Sequence, residues 1–222
     1  GLTNALVGLA PRGSLGRTSV NWEGDPAAPK QYSLNTTFTD LSVNRWASIP
    51  GLTGVSGVLK LTHEGGQLEI ANAGRASTVD YPSVFVVQPK FDKLKGKANW
   101  TITARGLAVT VADVELQNAD VALKLGGKWS RESNDSGPGA ADIAGVIERG
   151  EVSRVWAYLP TVIDNGVREY TKQAFLAGKI SRGDFILKGP LAKFPFPNDD
   201  FGQWRITAVA DDVVMDYADN WA

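Results

Sequence analysis

The chain has 222 residues, no cysteine, one histidine and no excess of charge of either sign. Without cysteine there is no disulfide, no thiolate nucleophile and no sulfur-ligated metal. The lone His63 stands beside a Glu-Gly-Gly turn, so a Ser-His-Asp arrangement lacks a well-placed base. Lys+Arg 23 against Asp+Glu 24 leaves no basic surplus, so we expect no nucleic-acid partner.

The sequence also lacks the patterns of metal, phosphate and membrane sites. The adjacent pairs Asp199-Asp200 and Asp211-Asp212 would point to opposite faces of a strand, which makes each a poor cation ligand. Glycine pairs such as Gly65-Gly66 do not open a helix after a strand, as a phosphate loop requires. We therefore expect no enzyme, no cofactor and no metal.

No segment has the apolar length of a transmembrane helix, and no signal peptide is visible. Strand-like alternation comes close to both ends of the sequence. We therefore expect residues 1–222 to form a single elongated β-rich domain, and to be a fragment of a longer, repeat-built protein.

Most of the chain alternates apolar and polar residues, which predicts strands. Residues 57–61 and 67–70 flank a glycine-rich tip, and residues 96–102 and 107–111 flank another, so each pair predicts a hairpin. The lysines of residues 90–97 suggest a solvated edge strand, since edge strands are commonly protected by lysine.

A helical insert is predicted at residues 151–177. Val152, Val155, Trp156 and Leu159 recur at helical spacing before Pro160. A second helix would place Val167, Tyr170, Ala174 and Ala177 on one face, with Asp164 or Asn165 as its N-cap and Gly178 at its C-terminus. Period-two alternation resumes at Lys179 and ends in a proline-rich turn.

The predicted fold is mainly β: a long antiparallel meander with two helices near 151–177. Alternation places an apolar strip on one sheet face, with candidate members Leu59, Leu61, Leu68, Ile70, Trp100, Ile102, Val109, Val111, Leu123, Leu125, Trp204 and Ile206. Such a wide sheet doubles into a sandwich, closes, or curls into a trough.

The residues alone leave two functions equally open, because an apolar-ligand surface and an ordinary packed core have the same pattern. A sugar-binding domain is a third alternative, suggested by seven tryptophans. Five of them (Trp22, Trp46, Trp100, Trp129 and Trp204) lie in apolar alternation, which favours core or groove lining.

Several motifs follow one another along the second half of the sequence: WAYLP at 156–160, AFLAG at 174–178, LKGPLAKFPF at 187–196, and GQW at 202–204 followed by MDYADNW at 215–221. In this order they resemble the YhdP family of AsmA-like proteins. Residues 40–46, 49–51, 54–57 and 94–96 are also similar to it. The family continues with Trp-Pro and further repeats where this sequence stops after Trp221, which agrees with the expected fragment.

The resemblance implies a long curled sheet with an open hydrophobic groove, in the periplasmic part of a protein anchored in the inner membrane of Gram-negative bacteria. It implies a bridge for phospholipid transport to the outer membrane, with membrane contact through segments outside this chain. The alternative is a closed β-sheet scaffold of the cell envelope without lipid cargo. The two helices would cover or plug part of the trough.

Overall fold

The computed structural model describes residues 2–25, 28–47, 49–72, 74–198 and 200–217. Twelve strands account for most of them, and two α-helices and two short 3-10 helices interrupt the strands. The elements are α1 (Leu2–Leu9), β1 (Arg12–Asp25), β2 (Ala28–Val43), β3 (Gly51–Thr62), β4 (Gly65–Ala71), β5 (Ser77–Asp80), β6 (Lys90–Phe91), β7 (Lys93–Thr103), β8 (Gly106–Gln117), β9 (Val121–Glu132), β10 (Ala140–Glu151), a 3-10 helix (Val152–Tyr158), α2 (Asn165–Ala174), β11 (Phe175–Pro190), a 3-10 turn (Leu191–Lys193) and β12 (Gln203–Met215).

All twelve strands belong to one antiparallel sheet, which confirms the predicted mainly-β meander. The order is β1-β2-β3-β4-β7-β8-β9-β10-β11-β12, with β5 beside β3 and β6 beside β5. The sheet is open, with β1 and β12 as its two edges. The predicted hairpins are β3–β4 and β7–β8.

The strand ends form two different rims, because successive strands run in opposite directions. At the turn rim the connections are mostly tight, at residues 63–64, 104–105 and 133–139. At the covered rim lie α1, the segment 74–92 and the helical insert 152–174. Asp199 and motif residues 218–221 lie outside the described residues.

The helical insert is confirmed between β10 and β11, but its details differ from the prediction. Its first helix is a 3-10 helix. Asp164 is the N-cap of α2, with its carboxylate accepting a hydrogen bond from the Gly166 amide at 2.7 Å. The helix ends at Ala174, because β11 begins at Phe175. Phe175 and Ala177 already pair with Met215 and Val214 of β12.

The buried face of α2 was predicted wrongly. Val167 and Tyr170 are each 51% exposed, whereas Arg168, Thr171 and Ala174 are buried. The reason is that Arg168 packs inward and donates hydrogen bonds to carbonyls of residues 156–163. The helical spacing of the apolar residues places Arg168 on the exposed side of α2, but in the structure its side chain is buried.

A buried apolar cluster holds the covered rim together. Phe38, Val55, Phe91 and Leu94 form it, and Phe91 brings the segment 74–92 onto the sheet. The helical insert joins the same end, since the Thr161 amide donates to the Val84 carbonyl at 3.1 Å and its hydroxyl donates to that of Ser83 at 2.6 Å. The segment and the insert therefore cover this rim together.

Three of the four lysines of residues 90–97 lie inside the sheet, whereas Lys90 lies on β6, which pairs with β5 alone. Strand β7 lies in the interior of the sheet, between β4 and β8. Lys93 and Lys95 both pair with Glu115 on β8, at 2.5 and 2.7 Å. The lysine run therefore pairs across neighbouring strands, which alternation alone does not distinguish from an edge.

Candidate functional site

The pairing register shows which side chains share a face of the sheet. In an antiparallel sheet, directly opposed residues point to the same side, and residues two apart along one strand do so too. Leu59 is opposite Leu68, Leu68 is opposite Ala98, and Ala98 is opposite Val111. Continued across the sheet, one row reads Leu59, Leu68, Ala98, Val111, Gly127, Ile143, Leu187 and Trp204.

All twelve predicted site residues lie on this same side, which we call the apolar face. A second row contains Leu61, Gly66, Trp100, Val109, Trp129 and Ala141. A third joins Val114, Leu125, Gly145, Phe185 and Ile206, and a fourth joins Leu94, Leu116, Leu123 and Ile147. Ile70 and Ile102 follow by alternation along β4 and β7.

The twelve residues differ in how much of their surface is free. Leu59, Leu68 and Ile70 pack against the buried cluster at the covered rim, so they contribute to the core. Ile102 and Ile206 are 48% and 52% exposed, and the other seven are half-buried. The part of this face that is open to a ligand therefore lies mainly on β7 to β12.

Several members of the apolar face were missed by sequence reasoning. They are Val20, Leu34, Phe38, Val114, Leu116, Ile143, Ile147, Phe185 and Leu187. Trp22 and Trp129, which also lie on this face, were already predicted as core or groove lining. In β10 the pattern is masked because Gly145 interrupts the apolar face, while Ala144 and Val146 stand on the other. An Asn-Trp or Lys-Trp pair recurs near the end of β1, β7 and β9, and this recurrence is a sequence signal that relates the three strands.

The opposite face is polar and carries cross-strand ion pairs. Lys124 contacts Glu148 at 2.6 Å, and Lys188 contacts Asp142 at 3.3 Å. Hydrogen bonds from Lys93, and next from Lys95, lower the pKa of Glu115 from 4.5 to about 2. The side chains of the Lys124 and Lys188 ion pairs are about half exposed, so this face of the sheet suits contact with water.

The polar face also contains a concavity of about 800 Å³. It lies where β8 bulges at Asp113, which has a positive φ of 52°. Lys95, Lys97, Glu115 and Lys124 contribute to its lining. Val58, Ala144 and Val146 also line it, so charged and apolar side chains border this concavity together.

Two further searches covered the described part of the chain. None of its helices is both long and apolar enough to cross a bilayer. Among the same residues, no group of three or more His, Cys, Asp or Glu side chains is placed to hold a metal ion.

Comparison with known proteins places this sheet in a family. The family described as YhdP protein matches residues 1–222. The intermembrane phospholipid transporter YhdP of Escherichia coli (strain K12) is 20% identical over 195 residues, which are 87% of this chain and 15% of that protein. The chain thus spans less than a sixth of that relative. No solved structure gives a significant match. Since the family match covers every residue, the chain belongs to the YhdP family.

Proposed function

We propose that this chain is a segment of a bridge for phospholipid transport, and that acyl chains lie on its apolar face. The observation that supports the proposal most strongly is the row of opposed residues from Ala98 on β7 to Trp204 on β12. Family membership and the name of the E. coli relative supply the ligand class. The proposed location is the periplasm, in a protein anchored in the inner membrane by segments outside this chain.

The physical requirement of such a bridge is weak, repeated binding. Each methylene transferred from water to an apolar surface contributes about 0.8 kcal/mol, so a sealed pocket would hold a whole acyl chain too tightly. An open face with similar rows offers many positions of nearly equal free energy. In the proposal the apolar face curls into the wall of a groove, and the lipid moves from strand to strand along the rows.

The alternative scaffold requires a closed sheet with a fully packed apolar face. The sheet is open, and Ile206 on the apolar face is 52% exposed. The closed sheet that this alternative assumed is therefore wrong. A scaffold function of the open sheet, without lipid, is one possible outcome of the binding test.

The test compares two matched substitutions, Ile206→Asp and Val146→Asp. Ile206 belongs to the row of Gly145, and Val146 is the next residue along β10 on the polar face. Their exposures are 52% and 47%, so both changes place a carboxylate at the same level of the sheet on half-exposed positions.

We expect Ile206→Asp to weaken binding of a fluorescent phospholipid about tenfold. The lost contact is roughly half of an isoleucine side chain, about 1–1.5 kcal/mol, and 1.4 kcal/mol corresponds to a factor of ten. Val146→Asp should bind like the original chain. Equal affinities of the two variants would contradict the proposal.

A further inference from the structure

Tryptophans on the apolar face lie near the turn rim, in three neighbouring rows. Trp22, Trp100 and Trp129 each stand three residues before the end of their strand at that rim. Tyr32 is directly opposite Trp22, and Trp204 is the second residue of β12. Together these five residues form what we call the aromatic belt.

The belt residues are partly exposed and are supported by neighbouring groups. Trp100 lies across Gly66, where an added Cβ would be only 2.4 Å from the ring atom Cζ2. Trp129 donates its indole N–H to the Pro138 carbonyl at 2.9 Å, at the turn rim. Trp204 packs edge-on against Phe194, with ring centroids 5.0 Å apart.

Indole rings favour the boundary between apolar and polar surroundings, because the ring is large and apolar while its N–H forms hydrogen bonds. The same property concentrates tryptophan and tyrosine at the headgroup level of membranes. Beyond Trp129, the apolar face continues with Arg131, whose guanidinium carbon lies 5.9 Å from the Trp129 ring. That cation is placed to meet a phosphate.

The covered rim has the opposite character. The cluster of Phe38, Val55, Phe91 and Leu94 closes it with apolar side chains. Along β7, six residues separate Trp100 from Leu94, which at 3.2–3.4 Å per residue is about 20 Å. One leaflet of a bilayer has a hydrocarbon thickness of about 15 Å, half of the roughly 30 Å core, so an acyl chain fits this depth.

We infer that a bound phospholipid lies parallel to the strands, with its headgroup outside the aromatic belt at the turn rim and its acyl chains directed toward the covered rim. This inference rests on the proposed function and adds the direction in which the lipid lies. Its basis is the contrast between an aromatic, half-exposed rim and a closed, apolar one.

The absence of cysteine allows a direct test with single labelled positions. Ile102→Cys lies one row outside Trp100, at the outermost level of the belt, and Leu123→Cys lies in the row of Leu94. Eight residues of β7 separate these two levels, about 26 Å at 3.3 Å per residue. Each variant carries a fluorophore and is loaded from phosphatidylcholine vesicles, which are then removed by gel filtration.

Two nitroxide-bearing phosphatidylcholines serve as probes, one labelled on the headgroup and one near the end of an acyl chain. We expect the headgroup nitroxide to quench position 102 more than position 123, and the acyl-end nitroxide to do the reverse. If Leu123→Cys fails to fold, Ile147→Cys replaces it, because Ile147 is directly opposite Leu123.

The outcomes separate the two claims. Quenching that is reversed between the positions, or equal at both for each probe, would overturn the orientation while leaving lipid binding intact. No quenching at either position by either probe would overturn the proposed function as well.

Discussion

Replacing Arg168 by methionine should loosen the helical insert by detaching α2 from the stretch that precedes it. Arg168 is 3% exposed and its guanidinium donates to the carbonyls of Leu159 at 2.7 Å and Pro160 at 2.9 Å. Two longer bonds, of 3.4 and 3.3 Å, reach Trp156 and Ile163. One side chain therefore joins α2 to the whole preceding stretch.

The two short bonds set the magnitude. A hydrogen bond from a charged donor contributes about 1.5–3 kcal/mol, and a buried carbonyl left without a donor costs about 1–3 kcal/mol. Methionine removes the cost of burying the guanidinium, which offsets part of this loss. The net cost to the insert is about 3 kcal/mol, or roughly a hundredfold in its opening equilibrium.

Amide hydrogen exchange measures this opening segment by segment. Residues 152–174 of Arg168→Met should exchange about a hundredfold faster, in line with the loss of about 3 kcal/mol, while β7 to β9 remain protected. Gln173→Met, an exposed change on the same helix, is the control. Unchanged protection of 152–174 in Arg168→Met would refute the reasoning.

Two other substitutions test the sheet itself. The folded-state pKa of Glu115 is about 2, below its ordinary 4.5, so its ion pairs with Lys93 and Lys95 stabilise the fold above pH 4.5 and lose effect as the pH falls from 4.5 toward 2. Urea titrations should show Glu115→Gln less stable than the original chain at neutral pH and equal to it near pH 2, and a constant difference would contradict this. At Gly145 an added Cβ would lie 2.6 Å from the Phe185 ring and 2.5 Å from the Lys124 carbonyl, so Gly145→Ala should cost about 1–3 kcal/mol of unfolding free energy. Gly126→Ala, whose nearest contact would be 3.3 Å, should cost less, and the reverse ranking would contradict the packing argument.

The strands and their common face could be predicted because both depend on a short local period. Alternation in residues 57–70 and 96–111 locates two hairpins, and the same alternation places Trp100 and Val109 on one side. The cross-strand pairs seen in the structure then extend the apolar face from these two hairpins to the neighbouring strands. The curl of the sheet and the binding of lipid by these residues stay proposals.

The errors arose where long-range packing overrides a local signal. Arginine is ordinarily exposed, so nothing in residues 165–174 predicts that Arg168 is buried. Bulges such as the one at Asp113 shift the alternation by one residue, and their positions depend on the neighbouring strand. The lysines of β7 resemble an edge strand because their partner Glu115 is distant in sequence.

Native mass spectrometry of the purified chain, with extraction and identification of bound lipid, tests the central claim most directly. The account predicts that phospholipid accompanies the folded chain and that Ile206→Asp retains less of it than Val146→Asp does. A folded chain that carries no phospholipid after incubation with phosphatidylcholine vesicles would contradict the account.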